Sequence, residues 1–440
     1  MMKFQPFYKL FIVITFSVIF LYPIQAKPRV IVTTDGEIDD RCSMVRFLLY
    51  ANEFDVEGLI LSSSKYHWVG NTWAGEEWID HQYDLYKEVY PNLLLHDPEF
   101  PSPLDLREKT FVGNIDAEGE MEKVTRGSQH IVDVLLGDKK GRVDLQAWGG
   151  TNTIARALKT IQEKHPDQME RVSQKATLYL ILDQDKTYRE YIQPNWPKLQ
   201  TIISKQFGVI AYRWEQSMPK QFHPYFDAEW MRENILEGHG PLCASYEARK
   251  DGAFRSEGDS PAYLHQIPTG LVGSHEPYYG GWGGRFQLEK GSENTWVDAK
   301  DDNDRIKPLW RWAEDFQNDF AARADWCVKP FGEANHAPHH EHKSLVTHGT
   351  ISPGETKTLK AFEVQDPDGD ELSYHWWIYD GPSGDIEGIK IKDADTKKAT
   401  FIFPDKLQEG KTEYHIMLTV RDDGDPSLAT YQRFVLKKLE

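Results

Sequence analysis

The sequence predicts an open, mostly parallel α/β sheet with helices on both faces, followed by an all-β immunoglobulin-like sandwich. Three observations carry this. Up to about residue 330, short continuous apolar runs alternate with stretches of helical periodicity, the pattern of βαβ units whose strands are buried on both faces. Near residue 331 the composition turns polar and the periodicity stops. Beyond it come short strands separated by Gly, Pro and Asp turn signals, which suits a sandwich.

At 440 residues the chain is long for one domain, and two are expected. Its start, MMKFQPFYKLFIVITFSVIFLYPIQA, has Lys3 and Lys9 flanking a short basic n-region, an apolar run from Leu10 to Tyr22, and the small residue Ala26. This reads as a secretory signal peptide over residues 1–26. The run is short for a membrane span of about 20 residues, so export to the periplasm or beyond is expected. No other segment is apolar enough to span.

RVIVTT (29–34) then reads as a buried strand, DDRCSMVRFLLYAN (39–52) as an amphipathic helix, and VEGLILSS (56–63) as a second buried strand. VDLQAW (143–148) followed by GGTNTIARALKTIQEKH repeats the theme, with Ile154, Leu158 and Ile161 as the helical stripe. ATLYLIL (176–182) and FGVIAYRW (207–214) extend the set of strands. The first domain is placed at 27–330. FGEANHAPHHEH (331–342) reads as a solvated linker; its histidines 336, 339, 340 and 342 offer metal ligands only as the alternative. Residues 343–440 form the sandwich, with strands at 358–364, 372–379, 398–404, 413–420 and 429–439.

The balance of the chain is ordinary globular, 40% hydrophobic and 27% charged. A net charge of −18 argues against a nucleic-acid partner, because polyanion binders cluster Lys and Arg. Neutral sugars or other ligands read by hydrogen bonds fit better. Aromatics reach 12%; core packing accounts for them first, with carbohydrate stacking the alternative. Cys42, Cys243 and Cys327 are odd in number and match no zinc spacing. Cys42 falls on the apolar face of its helix. A Cys243–Cys327 bridge and buried free thiols both stay open.

Ligands of open α/β sheets bind beyond the carboxyl ends of the strands, and three constellations fall there. In IVTTDGEIDD, Asp35 ends a strand while Asp39 and Asp40 open the next helix. A helix start tolerates an anion, but a cap needs one carboxylate, and two of them about 4 Å apart repel by roughly 4 kcal/mol at a surface-like dielectric. Hard oxygen ligands in this number suit Ca²⁺. GGTN (149–152) is a second strand-to-helix turn, sufficiently explained as a cap by Thr151 or Asn152. GSHEPYYGGWGGRF (273–286) is a long Gly- and aromatic-rich loop, read as a surface turn or a binding loop, with His275, Glu276 and Arg285 suited to a hydroxyl-rich ligand. In the sandwich, DPDGD (366–370) has Gly369 where an EF-hand has none and Trp377 in place of the closing Glu, so it reads as a tight acidic turn. Trp376 and Trp377 point to opposite faces; one is core, and the other, with Tyr379, is expected outside, available to a glycan.

IVTTDGEIDDRCSMVRFLLYA resembles the N-terminal signature of the nucleoside hydrolases, an Asp, three residues, then an Asp pair, which Asp35, Asp39 and Asp40 match. GGTNTIARAL is similar to that family's helix start, with Thr151 in the position whose carbonyl binds calcium. SHEP is similar to its late His-Asp pair, with Glu276 replacing Asp. The stretches LLYANEFDVEGLILSSS, AWGGTNTIARAL, DQD, EGDSPAYL and EPYYGGWGGRF resemble more closely a bacterial branch of cellulose-binding Sde182 type, whose members carry a C-terminal immunoglobulin-like domain. The resemblance covers the whole mature chain. Thr33 and Gly36-Glu37 depart from the fingerprint, and Ser62-Ser63-Ser64 stand where the family has a ribose-contacting Asn.

The resemblance implies Ca²⁺ held by Asp35, Asp40, Thr151 and Glu276, with Asp35 as general base and His275 as leaving-group acid. Asp39, Ser64, Asn152, Asp185, Asn195, Glu257, Asp259, Trp282 and Arg285 are the candidates for substrate contact; for Asp185, Glu257 and Asp259, structural duty is the alternative. The implied ligand is a carbohydrate or nucleoside-like small molecule, with polysaccharide held by the C-terminal domain. Two further readings stand beside the hydrolase: a non-catalytic carbohydrate-binding protein on the same fold, and a structural adhesin of the cell envelope. Oligomeric state is left open.

Overall fold

Strand β1 (Arg29–Thr34) is buried along its whole length, with Val30, Ile31 and Val32 as its apolar heart, and it lies inside an eight-stranded sheet. The computed structural model describes residues 27–274, 276–340, 346–384, 386–407 and 412–439; the leader expected over 1–26, and His275, lie outside them. The other strands are β2 (Asp55–Leu61), β3 (Thr110–Val112), β4 (Val143–Ala147), β5 (Ala176–Ile181), β6 (Thr201–Ser204), β7 (Phe286–Leu288) and β8 (Thr295–Asp298). Their order is β3-β2-β1-β4-β5-β6-β8-β7. All neighbours run parallel except β7 against β8. The chain steps outward from β1 to β3, then returns to β4 on the other side. The switch point therefore lies between β1 and β4, where a crevice opens at the strand ends.

Alternation along β1 divides the core in two. Val30 and Val32 pack with Cys42, Val45 and Leu48 of helix α1 (Ile38–Leu49) and with helix α2 (Glu77–His96). Ile31 faces the opposite side, with Ile154, Leu158 and Ile161 of the helix at Asn152–Lys164. Among the described residues no helix is long and apolar enough to cross a membrane. Residues 207–214, expected as a strand, form instead a turn at Gly208–Ile210 and a short helix at Trp214–Ser217. Val209 and Ile210 are fully buried there, so their apolarity serves packing rather than pairing, and the four-residue β6 continues the sheet.

The C-terminal part is the expected all-β sandwich. Strands β9 (Val346–Ile351), β10 (Thr356–Lys360), β11 (Ser373–Ile378), β12 (Lys390–Lys392), β13 (Lys398–Ile402), β14 (Glu413–Arg421) and β15 (Ala429–Lys438) form sheets ordered β10-β13-β12 and β11-β14-β15-β9. Trp376, Phe401, Ile416 and Phe434 fill the space between them. The segment expected as a solvated linker is packed instead: His336 stacks on Phe331 and Trp326, and the His340 ring lies 3.0 Å from the Tyr431 carbonyl. Cys42, Cys243 and Cys327 are buried free thiols; the last two sulfurs stand 3.9 Å apart.

The two parts share a seam built from the Gly-rich loop. Arg433 of β15, fully buried, donates to the carbonyls of Leu271 (3.0 Å), Tyr279 (3.1 Å) and Gly280 (3.2 Å). Tyr431 N donates to Thr269 O at 2.9 Å. A Cβ on Gly270, whose φ is +94°, would collide with the Tyr431 carbonyl. Trp377 and Tyr379, expected as an exposed glycan platform, pack here on Trp312 and under the Arg311 guanidinium, 5.1 and 4.2 Å from their rings.

Candidate active site

Asp35 follows β1 directly, and α1 starts three residues later. The turn folds Asp40 back over the strand end, where its Oδ1 accepts from Asp35 N at 3.2 Å and from the Thr34 hydroxyl. The backbone after β4 must pass close to this carboxylate: a Cβ on Gly149 would lie 2.9 Å from Asp35 Cβ and Cγ.

The third partner comes from far along the chain. Arg46 of α1 is fully buried, and its Nε lies 2.6 Å from Glu257 Oε2. Tyr246 OH (3.1 Å) and Ser260 Oγ (2.9 Å) also donate to Glu257, and Glu257 N donates to Ile210 O at 2.8 Å. This pins the 257–260 turn against α1 and carries Asp259 to the acidic pair. Asp39, Asp40 and Asp259 each present an oxygen within 4.8 Å of the others. Asp35 Oδ2 and Asp259 Oδ2 are buried without a hydrogen-bond partner.

So many buried carboxylates resist ionisation together. Burial, then the charges of Glu37 and Asp35, push Asp39 up to about 7. Burial and the neighbouring Asp35 and Asp39 hold Asp40 well above the carboxylate range, and burial with Asp40, Asp39 and Asp35 does the same to Asp259. Burial raises Asp35, opposed by the Ser64 hydroxyl. Oxygen-only donors, two of them orphaned and buried, fit a hard cation such as Ca²⁺.

The cluster forms the acidic side of a cavity of about 230 Å³, walled by Trp148, Gln184 and Phe207 and flanked by Tyr66 and Tyr212. Those two tyrosines are 46% and 48% exposed, with Lys65 Nζ 4.7 Å from the Tyr66 ring. Beside it, His67 places Nδ1 2.9 Å from Thr72 O and Nε2 3.4 Å from Glu37. The Glu37 carboxylate raises His67 to about 9, so the ring is an imidazolium at neutral pH. His67, Glu37 and the two tyrosines were missed in the sequence. Their available signal was position, since His67 and Tyr66 follow β2 at the same sheet edge as Asp35.

The expected site residues divide into three groups. Asp35, Asp39, Asp40, Asp259 and Ser64 come together. Thr151, Asn152 and Asp185 sit just behind, in a network of their own. Asp185 accepts from Asn152 N (2.7 Å), Thr187 N (3.0 Å) and the Thr151 hydroxyl (3.1 Å), so it caps the helix that starts at Asn152. The Thr151 carbonyl accepts from Ala155 N at 2.8 Å, and the Asn152 amide donates to Ser63 Oγ at 2.9 Å.

The rest lie elsewhere. Glu276 is exposed, and its charged neighbours are Glu413 of the sandwich and Arg142, not the cluster; Asp259 occupies the place expected for it. Arg285 is held by Asp301 (2.8 Å) and the Lys300 carbonyl (2.5 Å) at the seam, and Trp282 is buried in the core. Glu257 is sequestered by Arg46. Asn195, bonded to Tyr191 O at 2.8 Å, lies ahead of β6, at the opposite end of the sheet.

Two family models match the chain. Residues 29–286 match the model of the family described as cellulose-binding Sde182, nucleoside hydrolase-like domain. The chain belongs to that family. Residues 356–438 match the C-terminal domain of cellulose-binding protein Sde0182. A solved structure from Saccharophagus degradans, titled a nucleoside hydrolase-related hypothetical protein associated with carbohydrate metabolism, is 29% identical with a TM-score of 0.79, over 94% of this chain and 100% of that one. A plant nucleoside hydrolase, 12% identical over 65% of this chain and 98% of that one with a TM-score of 0.30, is too distant to bear on chemistry. No curated protein matches the sequence.

Proposed function

We propose that the chain is an exported, calcium-dependent hydrolase that cleaves an N-glycosyl or related glycosidic bond of a small sugar-containing molecule, and that its C-terminal domain keeps it on polysaccharide. The observation that supports this most is the convergence of Asp39, Asp40 and Asp259 at the cavity wall, with Asp35 next to them through its backbone bond to Asp40. These four carboxylates would hold the ion. When bound, calcium supplies an acidified water and a template for vicinal hydroxyls. Asp35, through its orphaned Oδ2, is the base that takes the proton from the attacking water. The His67 imidazolium is a positive charge set beside Glu37 and the acidic cluster as ligand arrives. Tyr66 and Tyr212 stack on a ring at the mouth. The cavity falls below the range of about 300–1,000 Å³ usual for larger ligands, which favours a single sugar unit over an extended chain.

A second reading, ligand binding without turnover, has its own support: Glu276 and Arg285 serve the seam or solvent rather than the cavity. One experiment separates the two. Wild type and the Asp35→Asn and Asp259→Asn variants are incubated with nucleosides and with oligosaccharides, with calcium or with EDTA, and released base or reducing sugar is measured. Calcium-dependent release that falls at least about a hundredfold in Asp35→Asn, the scale of general base catalysis, supports the hydrolase. Saturable calcium-dependent binding with no product from either panel supports the binder and ends the hydrolase reading.

A further inference from the structure

The second acidic cluster lies far from the cavity, where the sandwich meets the segment at 334–340. Asp366, Asp368 and Asp370, in the turn between β10 and β11, present oxygens within 4.8 Å of one another. Asp366 Oδ1 is used by its own turn, accepting from Asp368 N (2.9 Å) and Asp370 N (3.0 Å), while its Oδ2 is buried without a partner. The turn between β14 and β15 lies alongside, since Glu371 N donates to Asp423 Oδ1 at 2.9 Å. It contributes Asp422, only 4% exposed. Asp422 Oδ1 accepts from Leu428 N (2.8 Å) and Gly424 N (3.2 Å), but Oδ2 has no partner. Among the described residues the one ion-pair partner of these carboxylates is His336, 3.0 Å from Asp368.

Two buried carboxylate oxygens without hydrogen bonds, on adjoining turns that carry four acidic side chains against one histidine, are an incomplete site. We propose that the turns 366–370 and 422–428 bind a divalent cation of calcium's hard-oxygen chemistry through Asp366, Asp368, Asp370 and Asp422. The ion has a mechanical role. His336 N donates to Asp368 Oδ2 at 2.7 Å, Asn335 Nδ2 to Pro426 O at 2.8 Å, and Asn318 Nδ2 to Ser427 O at 3.1 Å. Both turns thus touch the segment at 334–340 or the hydrolase-like domain, and an ion joining them locks the seam.

The test is calorimetric titration of CaCl₂ into the full chain, stripped with chelator and dialysed, alongside thermal melts. Asp370→Asn is the first variant, because no hydrogen bond ties its side chain to the turn; Asp422→Asn is the second, removing the orphaned charge. Asp40→Asn/Asp259→Asn disables the cavity cluster. The proposal expects Asp370→Asn and Asp422→Asn each to lose one calcium equivalent with an unchanged circular dichroism spectrum. It expects Asp40→Asn/Asp259→Asn to keep one equivalent and a calcium-dependent rise in Tm, which adding Asp370→Asn removes. Titration of both junction variants like wild type, or no calcium uptake by Asp40→Asn/Asp259→Asn, overturns it. Wild-type uptake lost wholly through Asp370→Asn supports it and counts instead against calcium in the cavity.

Discussion

Replacing Glu257 by Gln keeps its shape and removes its charge. In the native fold that carboxylate takes the Arg46 Nε at 2.6 Å and a second guanidinium nitrogen at 3.1 Å, besides hydroxyls from Tyr246 and Ser260. Both ionic partners are 0% exposed. The variant therefore leaves a guanidinium in the interior with neutral partners alone, among them Phe316 O (3.0 Å), Gln317 and the Phe320 ring (4.0 Å). Breaking a buried pair from one side costs about 3–5 kcal/mol. Urea unfolding followed by tryptophan fluorescence and far-UV circular dichroism reads this loss directly. Glu257→Leu combined with Arg46→Met should recover most of it, because an apolar pair removes both desolvation costs. A Glu257→Gln loss below about 1 kcal/mol, the scale of an exposed pair, would refute the reasoning and return Glu257 to the ligand-contacting candidates.

Two further outcomes are expected. His265 is buried against Tyr179 and Phe286, and burial, opposed by the Gly273 backbone, pushes it down to about 4. Its folded value lies below the unfolded value of about 6.5, so the unfolded chain takes the proton first and stability falls as pH drops from about 6.5 to 4, by up to about 3 kcal/mol; His265→Phe should flatten that slope relative to wild type in denaturant titrations across this range. Trp377→Ala should destabilise by about 2–3 kcal/mol, below the 3–5 of a fully buried tryptophan, and leave adsorption to insoluble cellulose unchanged; lost adsorption with unchanged stability would restore the expected glycan platform.

The β1-α1-β2 unit was legible because its signals are local: two apolar runs around one helical stripe. The acid trio was legible for the same reason, as it occupies six residues at one strand end. What failed was non-local or too short. Strands β3 and β7 have three residues each, less than the alternation needed to announce a strand. In 207–214 an apolar run folded as a turn, since burial alone does not distinguish the two. The third carboxylate was sought in SHEP, yet Asp259 reaches the cluster through an Arg46–Glu257 pair 211 residues apart, which no local pattern reports. The Gly- and aromatic-rich loop has one composition for two duties, since glycines that admit a ligand also admit a neighbouring backbone. Ser64 and Asp185 both follow strand ends, and only their partners separate the hydroxyl that bonds Asp35 from the carboxylate that caps a helix.

The buried Arg433 has a bearing on how this chain can be cut or borrowed. Its guanidinium closes carbonyls that belong to the other half of the molecule, so neither half is chemically complete when severed. A clone ending before β9 would bare Trp312 and leave the carbonyls of Leu271, Tyr279 and Gly280 without their donor. A fragment starting at β9 would carry an uncompensated interior cation to its surface. The sandwich is therefore not an interchangeable cartridge, and whatever surface it grips, the cavity is carried at a set bearing to it.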